Sequence, residues 1–384
     1  MKKYLILAAA AITVMAACSK VETFDNTPSQ KEIRFTVVNH LQQTKAAGYV
    51  YPTSVPFGTF AWWTENDWTG IAADQTFVFM DNQQVTWHSI EPGQAEVWAP
   101  TETYYWTRSG KITFASYSPY TANGTDKGYS AVPAYDVTKG FLFNDYSIVD
   151  GTDVDLMYAN LAENCHQNFN TDGSAVTDNN NPESGFSGVP TIFNHALCQL
   201  GFSFRAIGHK NPNVNAIKIE ITDVDIVNID NKGTFTQNNV TRWATDHANH
   251  VANYDYAPAS TFELNLIENT AANIAATDNY TALGKTRILL PQTLLTANMA
   301  TDQKLVVAYT VKTEYVSAPG VWAEEDIVSS VRLNNGNIAA WKDNQNITYR
   351  ISINPYVTEK ITFDPAVIAW EDVYSDDVNL NENN

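Results

Sequence analysis

Residues 347–354 alternate without a break: Ile347, Tyr349, Ile351 and Ile353 fall on one side, Thr348, Arg350, Ser352 and Asn354 on the other. Successive side chains of an extended chain point to opposite faces, so this pattern fits a strand with one buried face and does not fit a helix. Related runs recur along the chain at Ile33–Val38, Phe57–Trp63, Thr76–Met80, Val85–His88, Thr103–Thr107, Lys111–Tyr117, Phe141–Ile148, Asp153–Asn160, Thr191–Arg205, Ala216–Ile229, Phe262–Ile267, Arg287–Leu290, Lys304–Val316 and Ile327–Leu333. They are rich in aromatic and β-branched residues and are bounded by Gly, Pro, Asn or Asp, which supply turn geometry. No stretch sustains a 3.6-residue period, which predicts few and short helices. The fold class expected is all-β, as two antiparallel β-sandwiches in tandem.

Two units also follow from length, since 384 residues exceed the roughly 100–200 of one typical domain. The polar run between Asn164 and Gly188 marks the change, placing one sandwich at 46–190 and the other at 191–384, the latter ending in an acidic tail. No fixed-period repeat is present.

The chain opens differently. Lys2 and Lys3 precede a short apolar run, Leu5 to Val14, that ends in Met15-Ala16-Ala17-Cys18. The run is too short to cross a bilayer and fits an export signal over residues 1–17. Small residues before a cysteine resemble the lipobox of bacterial lipoproteins, in which the cysteine (here Cys18) becomes the lipidated first residue. Ser19 to Lys31 reads as a polar tether. Behind it Ile33, Phe35 and Val37 form an apolar stripe, and Lys45-Ala46-Ala47-Gly48 follows.

Charge narrows the partners. With 42 acidic residues against 23 basic ones the formal net charge is −19, a field that repels nucleic acid and anionic lipid surfaces. Cysteine is scarce. Cys165 and Cys198 are open to pairing in an oxidising compartment, although Cys198 sits in an apolar run and reads as a small buried hydrophobe.

Catalytic chemistry finds no assembled set. Neither G-x-x-x-x-G-K-[ST] nor G-x-G-x-x-G occurs, and Gly185-Phe186-Ser187-Gly188 has Val189 where a nucleophile elbow needs its last glycine. Asn168, Asn170, Asp172 and Gly173 imitate half of a calcium loop, but Asn179 occupies the position of the bidentate Glu. His247 and His250 beside Asp246 and Asp255 lack a metal-site spacing, and Glu324-Glu325-Asp326 reads as a solvated face. The expectation is no enzyme, no cofactor and no metal. One binding alternative comes from tryptophan. Trp62, Trp63, Trp68, Trp87, Trp98 and Trp106 crowd one region, and flat rings beside Asp and Asn suit stacking on sugars. Trp62, Trp63 and Trp68 are the candidate glycan contacts of a surface glycan-binding lipoprotein.

Taken together, several segments resemble the fimbrillin family, the Mfa-like subunits of type V pili of Gram-negative bacteria. They are the lipobox with its tether, Val55-Pro56-Phe57-Gly58-Thr59-Phe60-Ala61-Trp62, Asp155-Leu156-Met157-Tyr158-Ala159, Phe193-Asn194-His195-Ala196-Leu197-Cys198-Gln199-Leu200, Leu289-Leu290-Pro291-Gln292 and Ile361-Thr362-Phe363-Asp364-Pro365-Ala366-Val367-Ile368-Ala369-Trp370. The resemblance implies two transthyretin-like sandwiches and a precursor that reaches the outer membrane as a palmitate-bearing lipoprotein and ends in a fimbrium at the cell surface. It further implies a trypsin-like protease that cuts behind the first strand. Here that places the cut between Lys45 and Ala46, with residues 18–45 removed and Ile33, Phe35 and Val37 withdrawn from a groove. Other pilus subunits then fill the groove by strand addition, and a host or bacterial surface ligand is the target of adhesion. The tail after Trp370 offers only Val373, Val378 and Leu380 as an apolar donor, which points to a tip or minor subunit rather than the stalk.

Overall fold

The computed structural model describes residues 32–39, 51–70, 77–90, 92–149, 154–166, 188–209, 211–334, 336–356 and 361–369. In chain order the first strands are β1 (Phe35–Asn39), β2 (Phe57–Thr64), β3 (Phe77–His88), β4 (Val97–Pro100), β5 (Lys111–Ser118), β6 (Ala134–Asp136), β7 (Gly140–Ser147), β8 (Met157–Ala159), β9 (Ala162–Cys165) and β10 (Val189–His195). They are followed by β11 (Cys198–Gly208), β12 (Val214–Asp230), β13 (Lys232–Thr236), β14 (Trp243–Thr245), β15 (Val251–Asp255) and β16 (Phe262–Glu268). One short helix, α1 (Ala271–Ala275), precedes β17 (Thr281–Leu289), β18 (Lys304–Tyr315), β19 (Trp322–Arg332), β20 (Gln345–Ile353) and β21 (Ile361–Ala369). The all-β expectation with few helices is borne out.

The first sheet runs β2-β3-β4-β1-β10-β8-β5-β9, and an added pairing of β2 with β5 joins the path into a ring. Seven strands therefore enclose the first core, in which Phe57, Val85, Ile112, Phe114, Trp106 and Cys165 are buried. The second sheet runs β19-β18-β12-β16-β11-β20-β21, with β15 on β12 and β17 on β11. Its core contains the stripes expected from alternation: Cys198, Leu200, Phe202 and Phe204 from β11, Ile217, Ile219 and Ile221 from β12, and Ile347, Tyr349, Ile351 and Ile353 from β20. Most pairings are antiparallel. Three run parallel, β1 with β10 and β11 with both β16 and β20. A period of two is the same in either direction, so alternation cannot tell these apart.

A third, four-stranded sheet, β14-β13-β7-β6, draws strands from both parts of the sequence. Its core gathers Phe141, Phe143, Tyr146 and Tyr158 with Leu197, Phe235, Trp243 and Leu290. The division expected at 190/191 falls inside β10, which pairs with β8 of the first sheet through His195. Residues 103–107, expected as a strand, contribute only a bridge between Tyr105 and Glu32. Cys165 and Cys198 are separate buried thiols, which closes the question of a disulfide. Burial, the dominant influence, pushes the Cys198 thiol well above its ordinary value.

Candidate functional site: the first strand and its slot

Alternation alone places Ile33, Phe35 and Val37 on one face, and the structure turns that face inward. Ile33 is 1% exposed and Phe35 4%, while Val37 is half-buried against the same core. The Phe35 ring meets Phe57 edge-on at 5.5 Å and Phe114 at 5.6 Å. Around them Tyr51 stacks on Phe193 at 5.1 Å and meets Trp98 at 5.3 Å. Edge-to-face contacts of this kind add specific geometry to plain apolar burial. Burying Ile33 and Phe35 contributes about 1.5–3 kcal/mol each.

Backbone contacts hold the strand unequally. On one side β1 pairs with β10 over five residues, from Phe35↔Val189 to Asn39↔Phe193. On the other it meets β4 only at Phe35↔Trp98. Just ahead, Ile33 N donates to the Tyr104 carbonyl and Val189 N to the Arg34 carbonyl, both at 2.8 Å. Gly188 makes room for this approach, because a Cβ there would lie 2.8 Å from the Arg34 carbonyl oxygen. Arg34 reaches Glu32 at 3.6 Å in a partly exposed pair, worth about 0–1 kcal/mol. β10 is thus the rail and β4 the looser edge. Cys18, Lys45 and Ala46 lie outside the described residues, as do the calcium-like stretch from Asn168 to Gly173 and the tail beyond Trp370.

Two of the segments carrying the sequence resemblance meet here. Asn194 and His195 of β10 pair with Tyr158 and Met157 of β8. The His195 Nδ1 lies 2.8 Å from Asp155 Oδ2, and Asn194 Nδ2 donates to Asn160 Oδ1 at 2.9 Å. These side chains brace the rail against its neighbour. The residues that sequence reasoning missed are Tyr51, Trp98, Phe193 and Gly188, each recruited from a distant segment.

The tryptophans do not form one platform. Trp62 and Trp63 are neighbours on β2 and so face opposite ways. Trp62 packs on the third core, 5.2 Å from Tyr135 and 5.7 Å from Trp68, which is buried. Trp63 packs on the first core and donates Nε1 to the Ser109 carbonyl at 2.9 Å. Trp98 and Trp106 are core residues, while Trp87 is partly exposed and donates to Glu96 Oε2 at 2.8 Å.

His247 also lies elsewhere than its sequence neighbours suggest. Its Nδ1 is 2.5 Å from Oδ1 of the buried Asp230, and its Nε2 is 2.8 Å from the Thr301 carbonyl. Thr245 Oγ donates to the other oxygen of Asp230. A ring whose two nitrogens both face acceptors is satisfied only as imidazolium. Burial works against that charge, but the Thr301 carbonyl and the Asp230 carboxylate outweigh it and raise the pKa. A raised folded pKa gives stability that is complete below the unfolded value, about 6.5, and lost as pH rises through the folded one. This group is therefore expected to lower the thermal midpoint as pH rises above about 6.5, and His247→Gln to flatten that part of the slope. Equal slopes in the two proteins would refute the assignment. Asp255 stands instead with Asp223 and Asp225, their carboxylate oxygens within 4.8 Å. Exposed carboxylates alone do not make a metal site.

Comparison with known proteins adds the family. A family model described as fimbrillin-like matches residues 44–370, most of the chain. Among solved structures, a fimbrial protein from Bacteroides vulgatus is 20% identical with a TM-score of 0.55, the match covering 88% of this chain and 99% of that one. This likeness shows a shared fold. A “putative cell adhesion protein” from Bacteroides uniformis is 15% identical over 89% of this chain and 99% of its own, with a TM-score of 0.45. No curated protein matches in sequence. On the span of the family match, the chain belongs to the fimbrillin-like family.

Proposed function

We propose that this chain is a structural and adhesive subunit of a surface pilus, assembled by replacing β1 with a strand from another subunit. One observation carries the reading: β1 completes the ring of the first sheet and buries Phe35 in its core, yet is held by a full ladder on one side only. Its loss would break the ring between β4 and β10 and bare a slot lined by Phe57, Phe114, Trp98, Phe193 and Tyr51. An incoming strand would regain main-chain hydrogen bonds along β10 and insert apolar side chains at alternate positions. The position of the family match supports this, because it begins at residue 44 and leaves β1 ahead of it. A slot kept filled until assembly also avoids the aggregation that an open apolar edge invites.

In this reading Cys18 carries lipid during passage through the outer membrane, and a trypsin-like protease cuts after Lys45 to give an N-terminus at Ala46. Other pilus subunits are the partners, and we assign the chain no catalytic role. The thin apolar content of residues 371–384 favours a tip or minor position. The test is to isolate the surface-exposed protein and determine its N-terminus. A form beginning at Ala46 within detergent-resistant polymers is expected, with Lys45→Ala leaving monomers that keep the first strand. A chain that still begins at Cys18 inside such polymers, or that stays monomeric after cleavage at Lys45, would overturn strand replacement.

A further inference from the structure

Among the described residues, the outer edge of β19 is the longest unpaired strand edge of the second sheet. This strand ends the sheet order and pairs with β18 over eleven residues, Lys304↔Arg332 to Glu314↔Trp322, without a register shift. Among the described residues nothing pairs with its other side. Natural sheets blunt such edges with bulges, prolines, brevity or charged side chains, lysine above all, and the charges of β19 are Glu324, Glu325, Asp326 and Arg332. β19 has no bulge, and Trp322-Ala323-Glu324-Glu325-Asp326-Ile327-Val328-Ser329-Ser330-Val331-Arg332 contains neither proline, glycine nor lysine. Ile327 and Val331 pack on the core, so the even-numbered residues form the outer face. On that face Val328 is 72% exposed.

The charges on that face select a partner. A ladder crosses the sheet, with Glu263 on Lys218 at 2.6 Å, Glu220 on Lys312 at 2.5 Å, and Glu324 directly across from Lys312. Glu324 is its last member, with Lys312 on one side and the open edge on the other. We propose that β19 pairs antiparallel with β19 of a second copy about a two-fold axis through Val328. That register sets Glu324 opposite Arg332, Asp326 opposite Ser330 and Val328 opposite itself. Arg332 uses Nε on Asp302 at 2.7 Å, which leaves its Nη groups for another acceptor. Centring the pairing on Glu325 or Asp326 would oppose carboxylates, and a parallel in-register pair would stack Glu324, Glu325 and Asp326 on their own copies. The acidic triplet thus rejects axes through Glu325 and Asp326. Of the axes through Ile327, Val328 and Ser329, only that through Val328 sets both an acidic residue opposite Arg332 and the exposed Val328 opposite itself. An isologous contact of this kind closes on itself, so between pilus subunits it would join two fibres side by side. It does not depend on β1 being replaced.

Cysteines test both contact and register in the full chain. Opposed residues of an antiparallel pair have Cβ atoms about 4.5–5.5 Å apart, close to disulfide reach, whereas a residue two places from the axis does not meet its own copy. Under mild oxidation Val328→Cys is expected to give covalent dimer on the order of tenfold faster than Ser330→Cys, each compared with the unmodified chain. Light scattering should show a mass that rises with concentration for the unmodified chain and stays monomeric for Val328→Lys, which opposes two ammonium groups at the axis. Equal cross-linking of the two cysteine variants, or a monomeric mass at all concentrations for the unmodified chain, would overturn the proposal. Capture of a different subunit's strand by this edge would appear as that second outcome.

Discussion

Phe35→Ala is expected to lower the stability of the first sandwich by about 3–5 kcal/mol, the usual cost of removing a buried phenylalanine. The ring is 4% exposed and lies edge-on to both Phe57 and Phe114. These neighbours belong to β2 and β5, whose mutual ladder from Gly58↔Tyr117 to Thr64↔Lys111 resists collapse into the vacancy. A rigid wall leaves the cavity open, which places the effect toward the upper end. Denaturant unfolding of the uncut chain measures it, with Phe35→Leu as the control that keeps most of the volume. The consequence for assembly follows from the same number. At about 1.4 kcal/mol per factor of ten, β1 would be lost roughly two to three and a half orders of magnitude more readily, so cut Phe35→Ala protein should exchange its strand faster. A variant as stable as the parent would mean that the slot does not grip the strand through this ring.

The face of β1 was legible in Ile33, Phe35 and Val37 because each strand carries its own period. Its surroundings were not. Trp98, Gly188 and Phe193 reach β1 only through pairings between distant segments, and no local pattern encodes which strand lies beside which. The same limit explains Thr191–Arg205, which reads as one apolar run. The chain leaves the first sheet after His195 and enters the second at Cys198, yet Ala196 and Leu197 are buried in the third core, so hydrophobicity continues across the break. His247 shows it for polar groups. This histidine lies in the turn after β14, and its carboxylate partner is not the adjacent Asp246 but Asp230, at the end of β12. Alternation over Ile217–Ile221 of β12 and over Ile347–Ile353 of β20, by contrast, predicted the core-facing residues, because both stretches present one face to a single core. β12 slips its phase where its register shifts between Ile221 and Asp223, and Ser352 of β20 is buried as well.

The third core sets the last expectation, that residues 191–384 expressed alone will fail to fold as they do in the intact chain. In that core Phe235 stacks on Phe143 at 5.4 Å, and Trp243 lies 6.1 Å from Tyr146. The β7 strand that supplies Phe143 and Tyr146 also pairs with β13 from Lys232↔Ser147 to Thr236↔Leu142. Truncation would remove this ladder together with the rings it carries. Exposing Phe235 and Trp243 alone costs on the order of 3–6 kcal/mol, at about 1.5–3 per large apolar side chain. A typical domain has about 5–15 kcal/mol in all, so the loss of these two contacts is comparable to the whole reserve of the piece. Thermal unfolding compares the fragment with the full chain, and an absent or strongly lowered cooperative transition is expected. A fragment that melts cooperatively at the full chain's midpoint would show that the second sandwich stands without the first. If the fragment fails, removal of β1 is felt beyond its own slot, since the ring it completes includes β5, whose Tyr117 lies 6.2 Å from Phe143 and so adjoins the rings that cover β13.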